Sequence, residues 1–473
     1  MKWCFFVTPY PLLMEFLGKF ASEVISRGDE CILLVNGKVS EYTKLHYFPK
    51  EAKVYHKVDW LAKNYKETYI DFNGFSWKDV FPECTRYDLI KFSHKEIVDI
   101  ISSNYQFIDF VFKNEKPDVI LYGMPGSFFA EVAYWLCQRY NIKYLGLVSS
   151  RIGGRIDYCD LKYECSEYEK TFKKLEKSVI SSEDIANAQK FLEEFISHKK
   201  LPAYMDYRPG SPVKNFLMEQ KKMLFAWIRY HMSNNQMHAF DYESKIQFIQ
   251  WVFHPWRFLE RKNKAFFLNN VFDKPNNKDN FFLFPLHVQP ELSTSGMATY
   301  FCDQLNTIKN VAFSLPFGFK LYVKEHPSAV GERKNGFYKA LKENPNVVLI
   351  HPGANVENLI QASKGVITLT GTIGLEAVLL GKPVYALGTI IYSHHPLCYK
   401  VNSFDELKES IEKNLGKTSF VENLDEVNIR FILSYFKNTI KGNIISSIYK
   451  NDQNDYGQIY ASIKTILLNH KLS

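Results

Sequence analysis

Two stretches of this chain, one starting at residue 3 and one at residue 281, repeat a succession of apolar run, turn and helix-spaced stripe. No other feature narrows the fold so far. Residues 3–7 (Trp-Cys-Phe-Phe-Val) are an unbroken apolar run of strand length, followed by the turn sequence Thr8-Pro9-Tyr10-Pro11. Residues 12–26 then carry Leu13, Phe16, Leu17, Phe20 and Val24 at helical spacing. They stop at Arg27-Gly28, a glycine suited to the left-handed residue that ends many helices. Residues 31–35 form a second short strand. Further on, a strand at 118–122, a loop at 123–126 (Gly-Met-Pro-Gly), a helix at 127–140 and a strand at 144–148 repeat the unit. Strands that are apolar throughout, alternating with helices, imply a parallel sheet covered on both faces.

The second series is expected as strands at 281–286, 320–324, 347–350, 366–370 and 383–387. Helices are expected at 299–314, 336–343, 356–363 and 374–380. Between the two series the chain changes character. Charged, helix-like segments at 164–177 and 182–198 lead into an aromatic stretch with Trp227, Trp251 and Trp256. The spacing predicts an α/β chain with two Rossmann-like domains facing a cleft and a helical connector between them, the GT-B architecture. The expected divisions are 1–160, 161–275, 276–400 and 401–473, the last being mostly helical and polar. Ligands of open α/β sheets bind beyond the carboxyl ends of the strands, so the loops there should carry the chemistry.

Composition excludes several classes. Hydrophobic residues make up 46% of the 473, too many for a disordered chain, and 23 Gly with 19 Pro exclude a fibrous one. The net charge of +8 suits anionic ligands or an anionic membrane face, and with no long basic run nucleic acid is not an expected partner. Eight scattered cysteines without a C-x-x-C pair read as reduced thiols of a cytoplasmic protein, with Cys4, Cys31 and Cys137 as small core residues. The apolar run at the start ends at Thr8-Pro9, unlike a signal peptide, and no transmembrane helix is expected.

Three motifs fall at predicted strand ends. Val323-Lys324-Glu325-His326-Pro327 runs a strand into a turn that sets Lys324 and His326 where a phosphate would sit. The plainer reading is a turn histidine bonded to backbone. Thr368-Leu369-Thr370-Gly371-Thr372-Ile373-Gly374-Leu375-Glu376-Ala377 ends a strand in a Thr/Gly loop that opens a helix. Backbone N–H groups and the helix start favour an anion, Thr370 and Thr372 add hydroxyls, and Glu376 can accept from a ribose diol. The alternative is a helix cap with Glu376 serving the helix dipole. The segment lacks both the dinucleotide fingerprint and the Walker lysine. Third, the loop after residue 284 gathers His287, Gln289, Glu291, Ser293, Thr294 and Ser295. It reads as a reaction-centre loop or as a turn capped by Ser293 or Thr294.

Pro-Leu-His-x-Gln-Pro-Glu, Lys-Glu-His-Pro, Thr-Gly-Thr-x-Gly-x-Glu-Ala and Gly-Lys-Pro-Val, in that order, resemble the capsular polysaccharide synthesis family of bacterial surface-carbohydrate proteins. That family includes GT-B Kdo-transferases that use a CMP-activated sugar. The His-Pro turn is also similar to that of bacterial sialyltransferases, whose acidic catalytic motif has no counterpart in the N-terminal half. The resemblance covers about 280–390. It implies a glycosyltransferase whose 276–400 domain binds the nucleotide sugar and whose 1–160 domain takes a glycan or lipid-linked acceptor. His326 and Lys324 would meet the donor phosphate, Thr370, Gly371 and Thr372 would complete the cradle, and Glu376 would hold the ribose. His287, Gln289 and Glu291 would line the reaction centre.

Transfer also needs a base and stabilisation of the leaving phosphate. The chain has no Asp-x-Asp triplet, so His326, Lys324 and helix N–H groups are expected to meet that charge, with no metal and no cofactor beyond the donor. Arg151 and Arg155 are candidates for an anionic acceptor, with solvated loop arginines as the alternative. Ser127, Glu131 and Asp157 are further candidates, as are His46, His394 and His395. The aromatic stretch at 224–267 reads first as a helical core. The alternative is contact with a lipid-linked acceptor or the inner face of the plasma membrane, through Arg257, Arg261, Lys262 and Lys264. Competing functions are a CDP-polyol phosphotransferase, a sugar-nucleotide 2-epimerase and a non-catalytic GT-B module of capsule assembly.

Overall fold

The computed structural model describes residues 1–9, 11–86, 91–197, 228, 239–268, 270–276, 278–417, 421–445 and 452–469. Tyr10 of the first turn, Trp227 and most of 224–238 lie outside them. The chain divides into two units. One is built from 1–166, 197–253 and 436–473, and the other from 167–196 and 254–435.

The first unit carries β1 (Lys2–Val7), β2 (Glu30–Val35), β3 (Lys53–His56), β4 (Val119–Tyr122), β5 (Lys143–Ser149) and β6 (Arg155–Cys159). The second carries β7 (Phe281–Pro285), β8 (Lys320–Lys324), β9 (Val347–Ile350), β10 (Val366–Thr368), β11 (Val384–Ala386) and β12 (Cys398–Lys400). Near the end of the chain, β13 (Ile440–Lys441) joins the first sheet. The strand orders are β13-β6-β5-β4-β1-β2-β3 and β12-β11-β10-β7-β8-β9. All pairings are parallel except β5 with β6 and β6 with β13. Both expected Rossmann-like sheets are therefore present.

The core follows from the alternation of side chains along a strand. Phe5 and Phe6 point to opposite faces of β1. Phe5 meets Phe20 of helix Pro11–Ser26 at 6.2 Å, and Phe6 meets Phe129 of helix Phe128–Tyr140 at 5.1 Å. Trp3 to Val7 are fully buried, as a strand covered on both faces must be. Cys4, Cys31 and Cys137 are buried in the same core.

Several elements depart from the expectation. The segment after β5, read as an arginine loop, is a hairpin. Gly154 at φ 77° turns the chain, and β6 pairs antiparallel with β5. Charged residues at 155 and 157 hid the alternation that an antiparallel strand allows. β3, β12 and the 22-residue helix His94–Glu115, whose capping box joins Ser93 and Glu96, went unread. The helix expected over 299–314 is split, because the Asp303 side chain caps a new start at Gln304 by accepting the Asn306 N–H at 3.2 Å. Of the connector, helices Glu167–Glu176 and Ser182–Ile196 group with the second unit. Helix Tyr456–Asn469 groups with the first.

Candidate functional site

In the second sheet the chain moves outward through β7, β8 and β9, then restarts at β10 on the other side of β7. The β7–β10 boundary is thus the switch point where such sheets open a crevice beyond their carboxyl ends. The three motifs are the loops after β7, β8 and β10, three neighbouring strands. What the sequence separates by 83 residues, from His287 to Thr370, the topology brings into contact.

His287 ties these loops together. Its Nε2 accepts the Thr370 N–H at 3.1 Å, so the neutral ring carries its proton on Nδ1. Its backbone N–H donates to Gln304 Oε1 at 2.7 Å. Its carbonyl accepts from Gln304 Nε2 at 3.0 Å and from Arg333 Nη2 at 2.9 Å. Arg333 in turn forks onto Glu325, Nε to Oε2 at 3.0 Å and Nη2 to Oε1 at 2.7 Å. The Glu325 carboxylate, 0% exposed, also accepts from the Tyr338 hydroxyl at 2.6 Å and from the His326 N–H at 2.6 Å. One buried carboxylate and one guanidinium therefore fix the His326 turn against the His287 loop, which holds the Thr370 loop. Sequence reasoning missed Glu325, Arg333 and Tyr338. The one available signal was a glutamate in the middle of a strand-end motif.

His326 caps the short turn Pro327–Ala329, with its Nδ1 accepting the Ser328 N–H at 3.1 Å. The neutral ring then keeps Nε2–H as its donor. Burial, with Lys324 and Arg333 nearby, holds this imidazole below the ordinary histidine pKa, against the opposing pull of Glu325. Lys324 is buried and donates to the Pro352 carbonyl at 2.7 Å. Burial lowers its ammonium pKa, opposed by Glu325 and Glu376. Gly371 is the N-cap of helix Thr372–Leu379, and its carbonyl accepts the Tyr392 hydroxyl at 2.6 Å. That helix starts two residues earlier than expected, so Glu376 sits in its second turn, half-buried.

Thr370 donates its hydroxyl to the Ser293 carbonyl at 2.9 Å, a further tie between loops. Gln289 donates to the Cys302 carbonyl at 2.5 Å. The turn expected to be capped by Ser293 or Thr294 starts instead at Glu291, whose carbonyl accepts the Thr294 and Ser295 hydroxyls. The Glu291 side chain is exposed and accepts from Ser293 Oγ at 3.0 Å.

In the first unit Arg151 lies in the β5–β6 turn, half-buried. Arg155 is on β6. Its guanidinium donates to the Phe436 carbonyl at 3.0 Å and to Thr439 Oγ1 at 2.8 Å, and stacks over the Phe436 ring at 4.4 Å. Ser127 caps helix Phe128–Tyr140. Glu131 is buried, and that burial pushes its carboxyl up to about 7 although the Lys162 ammonium lies 2.7 Å away. Glu41, His56 and Asp59 place ligand atoms within 4.8 Å of one another, and the Lys38 ammonium serves Glu41 at 3.0 Å and Asp59 at 2.7 Å.

Residues 256–432, which include all three loops and the Glu325–Arg333 pair, match the family model described as "Capsule polysaccharide biosynthesis protein". Over these residues the chain is similar to the capsule polysaccharide biosynthesis family. The capsule-family segment is just over a third of the chain. No curated protein matches the chain. Among solved structures, the chain is similar to a KpsC beta Kdo 2,7 transferase from Thermosulfurimonas dismutans at 14% identity and a TM-score of 0.35, over 72% of this chain and 87% of that one. A KpsC beta Kdo 2,4 transferase from the same organism gives 15% and 0.36, over 72% and 88%. The UDP-GlcNAc 2-epimerase of Methanocaldococcus jannaschii gives 14% and 0.26, over 92% and 100%. At these TM-scores the likenesses add nothing to the assignment. No described helix is long and apolar enough to cross a membrane.

The capsule-family segment also holds the histidine pair after β11. His395, 1% exposed, accepts the Leu397 N–H on Nδ1 at 3.1 Å and faces Asn428 Oδ1 with Nε2 at 3.1 Å. Both nitrogens are thus satisfied in the neutral ring alone, and burial pulls the pKa down to about 4. A folded-state pKa below the unfolded one contributes stability that is present above about pH 6.5 and lost as pH falls toward 4. The loss expected from this residue is on the order of 3 kcal/mol. Thermal unfolding at pH 7.5, 5.5 and 4.5 checks it. His395→Asn, whose Oδ1 can take the place of Nδ1, should show a flatter acid slope than wild type. An unchanged slope would remove His395 from the account.

Proposed function

We propose that this protein is a glycosyltransferase of bacterial capsule or surface-polysaccharide synthesis. It takes a Kdo-like sugar from a CMP-activated donor and passes it to a glycan or lipid-linked glycan. The observation that carries the reading is the meeting of three loops at the switch point of the capsule-family sheet, stitched by His287, Arg333 and Glu325. An anion at the start of helix Thr372–Leu379 would meet the helix N–H groups and the Nε2–H of His326, while Lys324 adds positive potential from below. Thr372 adds a hydroxyl and Glu376 takes the ribose diol. Glu291, the exposed carboxylate of the β7 loop, is the proposed base for the acceptor hydroxyl. His287, Gln289 and Thr370 act by positioning that loop and the Gly371 loop. Arg151 is the proposed contact for an anionic acceptor, while the Arg155 guanidinium is held by Phe436 and Thr439. No metal or further cofactor enters this mechanism.

We further propose that the protein works in the cytoplasm, at the inner face of the plasma membrane. Helix Tyr242–Phe267 exposes Trp256, Leu259 and Phe266 beside Arg257 and Lys262, which suits an anionic headgroup layer.

The test is a thermal-shift panel with CMP, CDP, UMP, UDP and GDP on wild type and His326→Ala. Binding to the native state alone must raise the melting temperature. CMP is expected to give the largest shift. Removing a hydrogen bond to a charged phosphate should weaken CMP roughly 10–150-fold in the variant. A shift with UDP or GDP only would overturn the donor assignment. No shift with any of the five would overturn the nucleotide site.

A further inference from the structure

The carboxyl ends of the second sheet carry the site described above. Its amino ends open on something different. There the starts of β7, β10 and β11 and the end of helix Phe404–Asn414 enclose a cavity of about 630 Å³. That volume is in the range of small-molecule sites.

The lining chemistry is one-sided. Lys364, Lys382 and Lys417 line the cavity, and among the described residues no aspartate or glutamate does. Neutral acceptors hold two of these ammoniums: Lys382 donates to the Ser363 carbonyl at 3.0 Å, and Lys417 to Asn414 Oδ1 at 2.7 Å. None of the three forms an ion pair with a carboxylate among the described residues, whereas Lys320 and Lys342 of the same unit each pair with an aspartate at 3.0 Å. Burial and the neighbouring Lys364 charge both pull the Lys382 pKa down, so the two ammoniums strain against each other. The remaining wall is apolar, with Phe319 packed on Phe282 at 5.8 Å and Leu415 and Leu424 alongside.

We propose that this cavity is a second ligand site. It takes a small organic anion whose phosphate or carboxylate head lies between Lys364 and Lys382 and whose ring or short chain lies on Phe319. A dianionic head would bridge two cations that now repel, and charge-assisted hydrogen bonds are the strong ones. Helix Thr372–Leu379 runs from the Gly371 cap at one site to Gly381 on the wall of the other, a rise of about 12 Å over its eight residues. The two sites are therefore distinct, and the second stands whether or not the first binds CMP.

The probe is 8-anilinonaphthalene-1-sulfonate, an aromatic anion whose fluorescence reports binding. It is titrated into wild type, Lys364→Gln/Lys382→Gln, Lys364→Gln alone and His326→Ala. Wild type is expected to bind one equivalent, displaced by millimolar pyrophosphate. The double variant should weaken binding at least tenfold, and Lys364→Gln, at an exposed position that leaves folding intact, by about threefold or more. His326→Ala should bind as wild type does. Equal binding by wild type and the lysine variants would overturn the proposal. So would loss of the probe in His326→Ala, which would place it at the carboxyl-end site.

Discussion

Arg333→Met is expected to destabilise the second unit by about 3–5 kcal/mol, because it leaves the Glu325 carboxylate buried without its counter-charge. For a unit of this size that is a fall in melting temperature on the order of 10 °C. The size of the effect follows from the surroundings. Glu325 is 0% exposed and takes two hydrogen bonds from Arg333, one from Tyr338 and one from the His326 backbone. Glu325→Gln keeps one acceptor oxygen, enough for the His326 N–H or the Tyr338 hydroxyl but not both, and leaves the buried Arg333 without its counter-charge, so it should cost about as much as Arg333→Met. Tyr338→Phe, losing one buried hydrogen bond, should cost about 1–3 kcal/mol. Calorimetry of the three variants gives the ranking. Arg333→Met within 1 kcal/mol of wild type would show that the pair does not hold the loops.

Gly374→Ala comes second. Alanine normally stabilises a helix interior by about 1 kcal/mol over glycine. Here the added Cβ would stand 2.1 Å from the Tyr392 hydroxyl oxygen and 2.8 Å from its ring carbon. Tyr392 is 0% exposed, and its hydroxyl holds the Gly371 carbonyl. The ring must move, and the cap of helix Thr372–Leu379 moves with it. Overpacking of about 1–3 kcal/mol then outweighs the helix propensity. Nucleotide affinity measured by calorimetry is expected to fall roughly tenfold or more. Gly374→Ala/Tyr392→Leu, which removes the obstructing ring, should recover helix stability without recovering the cap. If Gly374→Ala alone is more stable than wild type and binds nucleotide equally, the contact does not constrain the site.

Much of this was legible in advance, for a physical reason. The runs at 3–7 and 321–323 are buried on both faces, so their apolar residues are contiguous and announce a strand without help from elsewhere. Parallel strands also place the ends of successive βα units on one side, so the three motifs were expected to converge. β6 was not legible, because Asp157 is buried at 4% exposure within an antiparallel strand and reads as a loop residue in isolation. The inner structure of the site was hidden for a similar reason. His287, Lys324 and Thr370 were expected to face a ligand, and the contacts that occupy them lie 28 to 83 residues away. Tyr392 and Arg333 sit in segments whose local pattern gives no sign of what they reach.

The way β13 and helix Tyr456–Asn469 close the first unit sets an order of events during synthesis. The Tyr460 hydroxyl donates to Asp29 at 2.6 Å, a carboxylate that also accepts the Trp3 indole N–H at 2.9 Å, and the two rings lie 5.8 Å apart. The ribosome makes these partners 431 residues apart, which at about 5–20 residues per second is roughly 20–90 s. Through that interval the face of β1 and helix Pro11–Ser26 that Tyr460 covers waits open. The second unit, whose sheet lies wholly within 254–435, has every strand of that sheet before the first has its last. The domain begun first is the domain finished last, so a stalled or truncated chain would expose its aromatic N-terminal core to chaperones while the second unit already has its whole sheet.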